Sequence, residues 1–91
     1  MSKMSIELYT RPTWLDCKVA KEFLSQHHIA YTEYDLTILP EKEAEMIDRT
    51  GVRIVPAFIL KKKGLSGLFN KTQIFIGFEI NQQQIEQLLL T

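Results

Sequence analysis

Cysteine is nearly absent from this sequence: Cys17 is the only one among 91 residues. A single thiol cannot form an internal disulfide, which excludes a small secreted framework held by cross-links. Net charge is also absent, because eleven lysines and arginines are balanced by eleven aspartates and glutamates. That balance leaves no basic footprint for nucleic acid and no acidic tail. No window approaches the ~20 apolar residues of a membrane span, and MSKMSIELYT at the start has no apolar leader core. A reducing cytoplasm is the expected location. Repeats and low-complexity linkers are missing too. What is present is a hydrophobic share of 45%. That is enough for one packed core, and residues 1–91 are expected to form one domain.

Residues 5–9 (SIELY) alternate apolar and polar and predict a strand. Pro12 breaks it, and Thr13 is the expected N-cap of a helix running from Trp14 to about His27. Cys17, Ala20 and Leu24 recur at i, i+3 and i+7 with Phe23 beside them, so this face points to the core. Lys18, Lys21, Glu22 and Ser25 take the outer face. Residues 29–36 (IAYTEYDL) predict a second strand. A second helix follows over 40–51, with Pro40 in its first turn and Gly51 as its C-terminal stop. Residues 55–60 (VPAFIL) predict a strand buried on both faces. The stretch 61–71 is a basic, glycine-containing connection. Residues 72–78 predict a fourth strand, and 81–90 a closing helix with Asn81 as its cap. The order is β-α-β-α-β-β-α. A right-handed crossover makes the first two strands parallel, and the last two pair antiparallel.

This order, with Tyr9-Thr10-Arg11-Pro12, then Cys17 opening a helix, then T-G-x-R-x-V-P at 50–56, then Gly77-Phe78, resembles the glutaredoxins and NrdH-like redoxins. The likeness spans nearly the whole chain. It implies a thioredoxin-like α/β fold, a four-stranded mixed sheet flanked by three helices, and thiol–disulfide chemistry. The family site is C-x-x-C at the start of the first helix. Here its second cysteine is Cys17, and Trp14 stands where the nucleophilic first cysteine belongs. Thr13, Leu15 and Asp16 also differ from common redoxin sites. Members with one thiol normally keep the first cysteine; this chain keeps the second.

Thiol exchange needs an accessible thiolate, and a helix N-terminus lowers a cysteine pKa while burial raises it. Cys17 is therefore either a slow one-sulfur redox site or a small buried apolar residue, and its inward register favours the latter. Trp14 either plugs the site, anchors a partner, or packs on the Pro12 loop. The resemblance makes Arg11 a holder of the glutathione carboxylate, while a solvated surface arginine is the commoner fate of such a residue. It makes Val55-Pro56 a cis-proline loop whose backbone pairs with a substrate chain. Glutathione-binding members show Gly-Gly followed by an acid, whereas here Gly77 is followed by Phe78 and Glu79. That pattern is nearer to the NrdH-like redoxins and argues against glutathione. Phe78 also suits a core position. His27 and His28 at a helix end are too few for a metal site and read as structural. No cofactor is implied. Leu65, Leu68 and Phe69, among Lys61, Lys62, Lys63 and Lys71, suit either docking on a protein or anionic membrane surface, or folding back over the domain.

Two readings stand. One is a glutaredoxin-like redox protein with a degenerate W-L-D-C site and weak or absent activity. The other is a non-catalytic module that binds a protein or peptide at a groove between Trp14 and Pro56.

Overall fold

The computed structural model describes residues 4–62 and 71–90, and the expectations for Leu65, Leu68 and Phe69 lie outside them. In chain order the elements are β1 (Met4–Thr10), α1 (Leu15–Gln26), β2 (Thr32–Asp35), α2 (Lys42–Thr50), β3 (Ala57–Lys62), β4 (Lys71–Ile76), a 3-10 turn (Glu79–Asn81) and α3 (Gln82–Leu90). The strands form one sheet in the order β2-β1-β3-β4. β1 and β2 are parallel, as a β-α-β crossover requires, and β3 runs antiparallel to both β1 and β4. No described helix is long and apolar enough to cross a membrane.

Alternation along the central strands sorts the core into two layers. Ile6 and Leu8 of β1 and Phe58 and Leu60 of β3 face α1 and α3, meeting Ala20, Phe23, Leu24 and Ile85. Tyr9, Ala57 and Ile59 point to the other face, toward Met46 of α2. Cys17 belongs to this second cluster, although it stands on α1. The first turn of α1 therefore overhangs the end of the sheet.

α2 buries little apolar surface: Met46 is its one buried residue. Polar contacts hold it instead. The Arg49 guanidinium donates to both Glu7 carboxylate oxygens, at 2.8 and 3.1 Å, and to the Tyr9 hydroxyl at 2.8 Å. Tyr34 donates to Glu7 at 2.8 Å, and Tyr9 donates to Glu45. Paired with that guanidinium, the Glu7 carboxyl is pushed down to about 2, while burial raises the Tyr9 hydroxyl to about 12.

Several boundaries differ from the sequence reading. Thr13 is not the N-cap of α1. The Trp14 amide closes a turn onto the Arg11 carbonyl at 3.0 Å, which holds Thr13 inside the turn. Trp14, with φ −92° and ψ 124°, is the cap and offers no side-chain cap bond. Pro40 lies two residues before α2 rather than in its first turn, because the chain makes another tight turn there. Gly51 does end α2, with φ +82° and its amide on the Ile47 carbonyl at 2.7 Å. Asn81 closes the 3-10 turn, and its side-chain amide donates back to the Ile76 and Gly77 carbonyls instead of capping α3. β2 is shorter than 29–36, since His28 takes φ +55° and delays the strand. β3 begins after Pro56 and runs on to Lys62.

Candidate functional site

The carbonyl of Trp14 accepts the amides of Cys17 and Lys18, at 3.1 and 3.3 Å. This starts α1 with residue 15 and places Cys17 third in the helix, on the inward face shared with Ala20 and Leu24. Its side chain is 0% exposed and packs with Tyr9, Val55 and Ala57. Burial pushes the Cys17 thiol above its ordinary range; the backbone N–H of Arg11 pulls the other way, and the Asp16 charge adds to the rise. Trp14 itself is 47% exposed, and Leu15 beside it is exposed as well. The two positions of the motif thus diverge, with an aromatic ring outside and the sulfur inside.

The Val55–Pro56 peptide is cis. Its neighbours tie three segments together at this end of the sheet. The Pro56 carbonyl accepts the Gly77 amide at 2.8 Å. Gly77 has φ +92°, a conformation that suits glycine and turns the chain out of β4. A Cβ there would lie 3.4 Å from Ile80 and 3.8 Å from the Asp16 carboxylate. That carboxylate accepts the Phe78 amide at 2.7 Å and the Glu79 amide at 3.1 Å. So the start of α1, the cis-peptide loop and the Gly77–Glu79 turn meet. Exposed Trp14, Leu15, Ile54 and Ile80 come from these same segments.

Arg11 is not a free surface cation. Its guanidinium pairs with the Glu43 carboxylate of α2 at 2.5 Å. Phe78 contributes its backbone amide to the turn, while its ring is buried against Phe23 and Phe58, with centroids at 5.2 and 6.0 Å. His27 lies against Phe23, with centroids 4.7 Å apart. A shallow cleft of about 360 Å³ runs along the flank of α1, lined by Pro12, Cys17, Lys18, Lys21 and Tyr31 among others. Neither Trp14 nor Pro56 lines it. The structure therefore groups Cys17, Trp14, Val55, Pro56 and Gly77 at one end but gives Arg11 an internal partner.

Sequence reasoning missed Asp16 and Glu43. An acid in a first helical turn is a visible signal. The amides that Asp16 serves, however, lie 62 and 63 positions away and could not be read from it.

A family model described as Glutaredoxin matches residues 6–65. Among curated proteins, no sequence matches. Among solved structures, the crystal structure of Plasmodium falciparum thioredoxin is similar, with a TM-score of 0.62 and 14% sequence identity. That match covers 94% of this chain and 70% of the thioredoxin chain. At that identity the likeness speaks for the fold, and the fold is thioredoxin-like α/β.

Proposed function

The chain belongs to the glutaredoxin family, and from that premise we propose that it is a glutaredoxin-like thiol–disulfide protein whose W-L-D-C site turns over weakly or not at all. The observation that carries this reading is the fully buried thiol of Cys17 behind an exposed Trp14. Exchange begins when a thiolate attacks a disulfide sulfur, forming a mixed disulfide and releasing the other sulfur as a thiolate. A second thiol then displaces the protein. Cys17 lacks access for the first step and is held protonated by burial. The chain has no other sulfur of this kind for the second.

Glutathione is a poor fit as the reductant. The two places that the resemblance assigns to its recognition are engaged by the chain's own carboxylates. Glu43 occupies Arg11, and Asp16 occupies the amides after Gly77. A tripeptide would have to displace both, against partners that the fold holds at high effective concentration.

A second reading is a protein- or peptide-binding module. It is favoured by the exposed Trp14, Leu15, Ile54 and Ile80 carried by the segments that meet beside Pro56. Apolar and aromatic residues presented on a rigid end suit an extended partner chain.

Reduction of hydroxyethyl disulfide and of insulin separates these readings from ordinary redoxin activity. The expected rate is at or near background with either glutathione or a thioredoxin-type reductant system. Turnover comparable with that of a dithiol glutaredoxin would refute the proposal. Trp14 is the single tryptophan, so its fluorescence reports occupancy of the groove when extended peptides are titrated. A shift that saturates favours the binding module.

A further inference from the structure

The two edges of the sheet are treated differently. β2, at one edge, is four residues long and carries Glu33 and Asp35. Short length and charge are the usual means of keeping an edge from pairing with another chain. β4, at the other edge, is six residues long, KTQIFI. After Lys71 it has no charge, no proline and no glycine. Its β-branched and aromatic residues favour pairing. Among the described residues no strand lies beyond it. Ile74 is 41% exposed on the face it shares with Ile76.

The base of the β3–β4 ladder carries a second unresolved demand. Lys62 of β3 stands directly opposite Lys71 of β4. Like charges at opposed positions are unfavourable. Among the described residues, neither lysine has an ion-pair partner.

We propose that two copies of this chain pair antiparallel through β4, about a two-fold axis at Ile74, to form a continuous eight-stranded sheet. In this register Ile74 meets its own copy, Thr72 meets Ile76, and Gln73 meets Phe75. Each Lys71 falls beside the partner's Gly77, just past the end of β4 and two residues before exposed Glu79 of the 3-10 turn. An opposite charge thus arrives where the chain alone offers only Lys62. Parallel pairing would place Lys71 against Lys71 and is disfavoured. The zero net charge of the chain adds no general repulsion between copies. A six-residue edge is small beside a standard interface, so the dimer is weak, with a Kd on the order of tens of micromolar or more.

Sedimentation equilibrium of the full chain, from about 10 µM to about 1 mM, tests this across the affinity range just given. The mass should rise from monomer toward dimer. Ile74→Lys, which places a charge on the axis, should hold the chain at monomer mass. Lys71→Glu and Glu79→Lys should each weaken association about tenfold, and the double reversal should restore it. Lys71→Glu also relieves the clash with Lys62, so its melting temperature when monomeric should not fall. Weaker association therefore cannot be mistaken for unfolding. Monomer mass throughout the range overturns the proposal. So does a dimer that Ile74→Lys leaves intact, or a double reversal that does not rescue.

Discussion

Cys17 and Trp14 are three positions apart, yet they lie on opposite sides of the protein surface. A thiol that is raised by burial stays protonated through neutral pH, and its reagent must wait for the fold to open. Labelling of the native chain at pH 8 with a small disulfide reagent should therefore be slower than labelling in denaturant by a factor of 100 or more, on the order expected for exchange through local opening. Rapid native labelling would contradict the inward placement. Because the folded thiol titrates above its unfolded value, its contribution to stability is present below the unfolded pKa. That contribution is lost as pH rises through the folded one. Trp14→Cys addresses the other half of the motif. It puts a sulfur at the N-cap, one helical turn from Cys17, a spacing that a disulfide can span. Free thiols counted before and after mild oxidation should drop from two to none, with measurable disulfide reductase activity. Two thiols that never pair would show that Cys17 stays packed against Val55 even when a partner is supplied.

Among the elements, α2 is docked by charge more than by grease. The Glu7–Arg49 pair sits under α2, largely shielded from solvent. A carboxylate held at about 2 supports the fold above the ordinary glutamate range. It withdraws that support as pH falls from about 4.5 through about 2. Glu7→Gln should cost about 2 kcal/mol at pH 7 by urea denaturation, and the gap to the parent chain should close toward pH 2. An equal penalty at both ends of that range would mean that the pair contributes shape rather than charge. Asp16 joins α1 to the turn before α3 through two amides. Asp16→Ala should cost about 1–3 kcal/mol. Hydrogen exchange should quicken first at Phe78 and Glu79, with the β1–β3 ladder unaffected.

For the whole molecule, Phe78 decides between a site residue and a structural one. Its ring lies in the cluster that joins α1, α3 and the sheet, and only its amide serves the turn. Phe78→Ala should remove about 3–5 kcal/mol of stability. For a chain of this size that is a large part of the total. The expected readout is a markedly lower denaturation midpoint. Near-native stability, combined with lost peptide binding in the Trp14 fluorescence titration, would restore Phe78 to the groove.

The order of elements was legible because alternation and helical spacing are local properties of the chain. Cys17 with Ala20 and Leu24 announced its own burial, since helical geometry assigns one face to those positions. Gly51 marked the end of α2, because a positive φ there suits a residue without a Cβ. Helix starts were less legible: a turn closing at Trp14 removed Thr13 from the capping position. The tertiary structure alone decided the rest. Arg11 reads as a free cation until α2 brings Glu43 to it. Asp16 reads as a helix-start acid until the last turn of the chain presents two amides. β4 reads like any other strand until the sheet order leaves it at an edge. Each of these depends on segments that are distant in sequence and adjacent only after folding, and no spacing along the chain encodes such a meeting.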